Sequence, residues 1–117
     1  MLRMAKAWPL VVLATCAAAC GGGPQPGFRG PDSCFYDVDN DVYLVSNIQG
    51  APHAKDGNGY ILKVSPDDGS RSQWISGDQT GVTLHAPKGM AISGDVLWVA
   101  DIDMLRKFNR NSGAPMG

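Results

Sequence analysis

Hydrophobic and polar positions follow two different patterns along the chain, and the pattern changes near residue 20. Residues 7–19 carry no charge, and the short segment before them contains Arg3 and Lys6 but no acidic side chain. This apolar run is too short to span a membrane, since a spanning helix needs about 20 apolar residues. A basic start, a short apolar core and a run of small residues predict a secretory signal peptide. A buried N-terminal helix is the alternative, but the order of charges does not fit an amphipathic helix.

From Pro31 onward, short β-branched and aromatic runs alternate with turn residues, and no apolar period of about 3.6 residues is sustained. The turn at 65–69 has a clear physical basis, because Pro66 fixes φ and Gly69 supplies a positive φ. The chain is therefore predicted to be all-β after residue 30. The predicted strands are 41–47, 60–64, 73–75, 91–92, 96–100 and 105–108.

The predicted strands form two copies of one pattern. Pro31 opens the first unit and Pro87 opens the second, and the longer first unit keeps its extra residues in the loop 48–58. A repeat of about 40–45 residues with about four strands is typical of β-propeller blades. The equivalent segments are 41–47 and 95–101, followed by 60–69 and 104–113.

Composition and charge are those of an ordinary globular protein. The 117 residues carry a formal net charge of −1, with 18% charged and 44% hydrophobic side chains. Disorder is therefore not expected. Lys and Arg form no basic stripe, which argues against a nucleic-acid partner.

The end of the apolar run resembles the lipobox of bacterial lipoproteins. Residues 17–20 read Ala-Ala-Ala-Cys, and in that family the cysteine is acylated and becomes the first mature residue, which makes Cys20 the expected lipidation site. The family prefers Leu where Ala17 stands. A frame that ends at Cys16 has the preferred leucine, but Thr15 then precedes the cysteine where Gly, Ala or Ser is expected. Cleavage by an ordinary signal peptidase after an Ala-x-Ala site is a second alternative.

A segment rich in glycine and proline follows the apolar run and divides the chain into three parts. Residues 1–19 are the predicted signal peptide, residues 20–30 a flexible tether, and residues 31–117 the β domain. Acyl chains on Cys20 would hold the tether at a membrane, since each buried CH₂ contributes about 0.8 kcal/mol. Cys34 is then the free thiol of the mature chain, and we expect it to be a buried structural cysteine.

The second unit carries the pattern of a known blade type. Residues 87–92 read Pro-Lys-Gly-Met-Ala-Ile, and Leu-Trp-Val-Ala-Asp follows at 97–101. This order resembles an NHL-type blade and, more widely, the six-bladed propeller family of SMP-30, gluconolactonase and luciferin-regenerating enzyme. The resemblance covers residues 31–117 and implies a partial β-propeller with about two blades of about six. Two blades leave sheet faces and an edge uncovered, so we expect a fragment of a longer protein, with an assembly of half-propellers as the alternative.

The resemblance also implies a metal site. SMP-30-like lactonases hold a divalent cation in the central channel through a Glu of the first blade and Asn and Asp of later blades. Asp32 takes the first-blade position with a side chain one methylene shorter, which makes it a candidate ligand of Ca²⁺, Mg²⁺ or Mn²⁺, with a turn role as the alternative. Lys88 stands where ligand-bearing blades carry Asn or Asp, and a protonated ammonium offers no lone pair. Asp101 and Asp103 line a channel mouth or cap a turn, and the turn is favoured.

The remaining motifs are better explained by structure than by chemistry. The acidic segment 37–41 lacks the Gly and the bidentate Glu of an EF-hand, and we interpret it as a hairpin turn. His53 and His85 have no partner at metal-ligand spacing, which predicts solvated surface side chains. Trp74 and Trp98 fall in strands and are predicted to belong to the core. No Gly-x-Ser-x-Gly motif is present, which excludes the usual serine hydrolase.

Two functions remain after these exclusions. The first is a lipoprotein of the bacterial cell envelope, anchored on the periplasmic or extracellular face of a membrane, whose propeller binds a small molecule or a protein. The second is a metal-dependent hydrolase that acts on a lactone or a similar small ester. Asp32 and Lys88 favour the first function, because neither is the usual residue at its position.

Overall fold

A computed structural model describes residues 24–117, so the predicted signal peptide and the lipidation site Cys20 lie outside the described residues. Within residues 24–117 the protein is all-β, as predicted, with no helix. It follows that this part of the chain has no helix long and apolar enough to cross a membrane. The strands are β1 (Pro31–Asp37), β2 (Val42–Asn47), β3 (Tyr60–Val64), β4 (Arg71–Ser76), β5 (Pro87–Ser93), β6 (Val96–Asp101) and β7 (Met104–Asn109).

The strands form two antiparallel sheets in which every strand pairs with its neighbours in sequence. Sheet A contains β1, β2, β3 and β4 in that order, and sheet B contains β5, β6 and β7. Such meanders need only short connections, since antiparallel neighbours can be joined by a tight turn. Gly69 and Gly94 supply the positive φ that two of these turns require.

The repeat predicted from the sequence is present in the strand pairing. Pro31 pairs with Asn47 at the open end of β1 and β2, and Pro87 pairs with Asp101 at the equivalent place in sheet B. Both pairings are followed by a register shift within the first strand of the sheet. The two sheets therefore share one plan, including the position of a bulge.

The equivalence extends beyond β7. Phe108 forms an isolated antiparallel bridge with Pro115. This is the register in which Val64 pairs with Arg71 at the start of β4, because both partners are displaced by the same 44 positions. Residues 114–116 therefore occupy the place in sheet B that the first residues of β4 occupy in sheet A.

The hydrophobic core lies between the two sheets. Successive side chains of a strand point to opposite faces, so each sheet has an inner face towards its neighbour and an outer face away from it. Leu84 enters this core from the connection between β4 and β5. Each such side chain contributes about 1.5–3 kcal/mol when fully buried. The buried members of the core are Leu44, Ile61 and Ile75 from sheet A and Leu97, Val99 and Phe108 from sheet B.

Polar contacts fix the position of one sheet on the other. The hydroxyls of Ser33 and Ser46 donate to the backbone carbonyl of Lys88, at 2.7 and 2.8 Å. At the opposite end of the sheets, the guanidinium of Arg110 contacts the buried carboxylate of Asp37. These contacts are directional, so they set the register of the stacked sheets where apolar packing alone would allow sliding.

The outer face of sheet A carries Cys34, Tyr36, Tyr43 and Val64. Cys34 is exposed, so the prediction of a buried cysteine is wrong. The reason is that β1 is an edge strand, and none of residues 24–117 forms a sheet over this side of it. Tyr36 and Tyr43 stack with ring centroids 4.9 Å apart and remain 42% and 38% exposed.

Residues 25–29, which the sequence assigns to the tether, lie over another part of the same outer face. The hydroxyl of Tyr60 donates to the carbonyl of Gly27 at 2.7 Å. The guanidinium of Arg71 donates to the carbonyl of Pro26 at 2.8 Å and lies over the ring of Phe28. This segment therefore helps to bury the small cluster of Val45, Tyr60 and Leu62 on that face.

The outer face of sheet B carries Ala91, Trp98, Ala100 and Leu105. Trp98 is half-buried, with the Nζ of Lys107 5.6 Å from its ring centroid, and Leu105 is 60% exposed. The prediction that Trp98 belongs to the core is therefore wrong within residues 24–117, since Trp98 lies on the outer face. Trp74 fits its prediction better, because it packs against the core between the sheets.

Candidate functional site

The longest connections of the protein meet at one end of the two sheets. We call this region the loop end and define it as residues 48–59, 77–86 and 102–103. Lys55 and Asp103 form an exposed ion pair across it at 2.8 Å. Loops held by a rigid sheet are the usual place for binding residues, so this end is the candidate functional site.

Glycines allow the loops of this end to approach one another closely. A Cβ on Gly59 would lie 2.3 Å from the Cδ of Pro87, and one on Gly77 would lie 2.2 Å from the carbonyl oxygen of Leu84. The N–H of Gly59 donates to the same carbonyl of Leu84 at 3.2 Å. The loop before β3 and the connection before β5 are therefore packed backbone against backbone.

A polar cleft of about 700 Å³ opens beside this packed region. Its polar lining includes Gln49 and Asn58 in the loop before β3, Gln73 and Ser76 in β4, and Asp78 just after β4. Residues 24–27 and Arg29 form the remaining wall. Carboxylate, amide and hydroxyl groups in one cleft suit a ligand rich in hydrogen-bonding groups rather than an apolar one.

Tyr60 contributes a hydroxyl donor to this cleft. Burial raises its pKa more than the neighbouring Arg29 lowers it, so the phenol is protonated at neutral pH. The hydroxyl is already bonded to the carbonyl of Gly27. Tyr60 therefore holds the wall of the cleft in place, and a ligand that displaced residues 24–27 would gain a free phenol donor.

Two buried polar side chains anchor the loop end from below. Asn47 closes β2, and its Oδ1 accepts the N–H of Arg29 at 2.8 Å. Asp101 closes β6 at the equivalent position and accepts the N–H groups of His85 and Ala86, at 2.7 Å for the shorter bond. Both side chains hold the segment that leads into the first strand of their sheet. Asp101 therefore holds the bend that leads into β5, which agrees with the turn role favoured for it.

The charge of Asp101 is stabilised despite full burial. Burial acts to raise the pKa of this carboxyl, but the bonds from Ala86, Arg106 and His85 together outweigh it and the net pKa is lowered. The Nε of Arg106 lies 2.8 Å from Oδ2. Asp101 is therefore ionised at neutral pH but fully occupied by protein partners.

Asp103 is exposed, and it is held by Lys55 rather than by a turn. The hydrogen bond from Lys55 is the main cause that lowers the pKa of this carboxyl. Asp103 therefore keeps a charged, accessible oxygen at the loop end.

Asp32, the candidate metal ligand, lies in β1 with its side chain exposed. No group of three or more His, Cys, Asp or Glu side chains among residues 24–117 could hold a metal ion. The residues described here therefore do not make up the implied metal site, and Asp32 stays a prediction. The Nζ of Lys88 donates to the carbonyls of Pro52 and Ala86 at 2.8 and 3.0 Å, so the lysine ties two loops together.

The remaining candidates divide between correct and wrong predictions. The acidic segment 37–41 is a hairpin turn, in which Asp37 accepts a bond from the Nδ2 of Asn40 at 2.8 Å. His53 is exposed, as predicted. His85 is half-buried and its Nδ1 accepts the N–H of Gly57 at 2.9 Å, so the prediction of a solvated side chain is wrong.

Sequence reasoning missed Asn47 as an anchor, although the aligned segments place it opposite Asp101. The sequence did contain a signal for this anchor, because a polar residue ends the apolar strand in both copies of the repeat. Comparison with known proteins adds no relative, since no family model, curated protein or solved structure matches the chain.

Proposed function

We propose that the chain is an envelope lipoprotein whose two sheets are blades of an NHL/SMP-30-like β-propeller that acts as a binding module. The observation that carries this proposal is the stacking of two sheets built on one plan, each with an inner and an outer face. A propeller is a ring of such sheets, in which every blade packs between two others. The outer face of sheet A, with its exposed aromatic residues and Cys34, is then a face that another blade covers.

The ligand of this module is expected in the polar cleft at the loop end. Gln49, Asn58, Gln73 and Asp78 supply both donors and acceptors to it, and none of the four belongs to the core. Their chemistry favours a small polar molecule or the polar surface of a protein over a lipid tail or an aromatic cofactor.

The anchor is tested by the mass of the mature protein. We expect the chain expressed in a bacterium and extracted from membranes to begin at Cys20 and to carry acyl chains. Cys20→Ser should abolish both, whereas Cys16→Ser should change neither. Acylation that follows Cys16 would move the anchor to the competing frame, and an unmodified chain cut after an Ala-x-Ala site would remove the lipoprotein part of the proposal.

The binding module is tested by ligand titration with a defined panel of sugars, sugar acids and gluconolactone, followed by amide chemical shifts. We expect shifts confined to residues around the cleft, and Gln73→Ala together with Asp78→Ala should weaken them. Asp67→Ala, in the turn at the far end of sheet A, is the matched control. Shifts confined to the far end, or none with any member of the panel, would contradict the assignment of the cleft.

A metal-dependent hydrolase is the second candidate, and the exposed carboxylate of Asp32 on the edge strand is the observation that favours it. One carboxylate is too few for a Ca²⁺, Mg²⁺ or Mn²⁺ site, since these ions take about six oxygen ligands. We expect no hydrolysis of gluconolactone above the buffer rate with any of the three ions. Hydrolysis that Asp32→Asn abolishes would reverse the order of the two candidates.

A further inference from the structure

We propose that a second copy of the chain docks head to tail on the first, with the outer face of its sheet A on the outer face of sheet B. This inference rests on the stacking geometry of the proposed propeller and not on its ligand, its metal or its lipid anchor. Each uncovered face resembles a face that is already packed inside the chain.

The outer face of sheet B is built like the inner face of sheet A. The shared register places Trp98 at the position of Leu44 and Leu105 at the position of Ile61. Leu44 and Ile61 are the residues on which sheet B packs. The outer face of sheet B therefore offers large apolar side chains where the established interface uses them, but nothing in residues 24–117 covers Leu105, which is 60% exposed.

The outer face of sheet A is built like the inner face of sheet B. Here Tyr43 stands at the position of Leu97, and Val64 at the position of Phe108. Leu97 and Phe108 are both buried against sheet A. The two uncovered faces are therefore the two halves of an interface that the chain already makes once.

The segment before each sheet shows the same relation. Leu84 precedes sheet B, inserts between the sheets and is fully buried. Phe28 holds the equivalent place before sheet A, lies over the outer face of that sheet and is 45% exposed. A sheet docked on this face would bury Phe28 as sheet A buries Leu84.

A second copy fits these faces better than an unrelated partner, because each face matches the other and neither matches itself. Contacts between two different faces are heterologous, and they close into a ring or continue as an open array. Exposed aromatic and aliphatic groups with few charges are typical of the centre of a protein interface. Among the residues of β5–β7 that point to the outer face of sheet B, Lys107 is charged. Its ammonium group lies beside the ring of Trp98.

One difference predicts a weaker interface than the internal one. The serine hydroxyls of Ser33 and Ser46, which bond across the internal interface, have Gly89 and Ala100 as their counterparts in sheet B. These residues have no side-chain donor. We therefore expect association that is weaker than the internal packing and that depends on protein concentration.

The experiment uses two variants that each block one face. Tyr43→Glu places a charge on the outer face of sheet A, and Leu105→Glu places one on the outer face of sheet B. Sedimentation velocity is run on the full chain with Cys16 and Cys20 replaced by Ser, in a mild detergent that keeps residues 7–19 apart. We expect the parent chain to associate with rising concentration and each variant alone to remain monomeric.

Mixing the two variants gives the decisive result. Tyr43→Glu keeps an intact face on sheet B, and Leu105→Glu keeps an intact face on sheet A, so the mixture should form a one-to-one dimer. Val38→Glu, at an exposed apolar turn residue outside both faces, should associate like the parent chain.

Three outcomes would overturn the inference. A parent chain that stays monomeric while its circular dichroism spectrum is native has no such interface. Self-association of either variant alone would show a like-to-like contact. A mixture that stays monomeric while both variants keep the native spectrum would show that the faces do not match. Tyr60 and Gln73 of the cleft lie on the outer face of sheet A, so ligand binding is measured separately on the monomeric variant Leu105→Glu, in which that face is unchanged.

Discussion

Sheets A and B share strand order, register and bulge position, but they differ where the second strand leads into the third. In sheet A this connection is the loop 48–59, which packs against the entry to β5 through Gly59. In sheet B only Ile102 and Asp103 join β6 to β7. The difference shows that the repeated strands carry the fold, whereas the connections at the loop end are free to vary in length.

The two sheets also differ in the side chain that anchors the segment before their first strand. Asn47 and Asp101 hold equivalent backbone segments, but Asp101 accepts two backbone N–H groups and a bond from Arg106. At the position of Arg106, sheet A has Leu62, which belongs to the cluster under residues 25–29. The charged anchor, Asp101, is therefore found in sheet B, which also supplies its counter-ion Arg106.

Replacing the charged anchor gives the largest expected effect. Asp101→Ala should lower the free energy of unfolding by about 4 kcal/mol, because it removes one partner of a buried ion pair and leaves Arg106 uncompensated. Asn47→Ala should cost about 1 kcal/mol, since it removes the part-buried bond from the N–H of Arg29, an exposed residue that water can still reach. Urea denaturation measures both. Equal losses would show that the charge of Asp101 adds nothing to its role as an acceptor.

A methyl group at the loop contact gives the next effect. Gly59→Ala should destabilise the protein by about 3 kcal/mol, because its Cβ would meet Pro87 and the carbonyl of His85 at 2.3 and 2.7 Å. The equivalent position in sheet B is Asp103, which is exposed, and Asp103→Ala should leave the thermal midpoint unchanged within error. A harmless Gly59→Ala would show that the two loops are not packed backbone against backbone in solution.

The sequence predicted the all-β class and most strands because alternation and turn residues are local signals. A turn role was favoured for Asp101 because it ends a strand, and its carboxylate does hold backbone N–H groups before β5. Cys34 and Trp98 were assigned wrongly, because a strand pattern shows that a side chain faces a sheet surface but not whether another sheet covers it. The cleft could not be predicted at all, since Asn58, Gln73 and Asp78 meet only through the packing of separate segments.

Acid should weaken the protein through its two buried carboxylates. Burial opposes the charge of Asp37, but bonds from Asn40 and Arg110 outweigh it, so the net pKa of Asp37 is lowered, as is that of Asp101. A carboxyl with a folded-state pKa below the unfolded value of about 3.9 stabilises the fold above that pH. The contribution is lost as the pH falls through the folded-state pKa.

Stability measured between neutral pH and about pH 3 should therefore fall on the acid side, with the fall starting near the unfolded pKa of about 3.9. Asp101→Asn should reduce the slope, since it removes one titrating group, and Asp37→Asn should do the same at the other end of the sheets. Asp67→Asn, in an exposed turn, is the control. A slope that neither Asp101→Asn nor Asp37→Asn alters would mean that other carboxyls cause the acid sensitivity.

The smallest effect concerns the turn that replaces the loop in sheet B. Ile102 has a φ of 57°, a region that β-branched residues rarely adopt and that costs about 1–2 kcal/mol. Ile102→Gly relieves this strain but loses the half-buried side chain, so we expect stability to rise by at most about 1 kcal/mol. Ile48→Gly, at the equivalent position with ordinary φ, should destabilise instead. If both changes destabilise equally in urea, the strain at Ile102 is absent and the short turn of sheet B is as relaxed as the loop of sheet A.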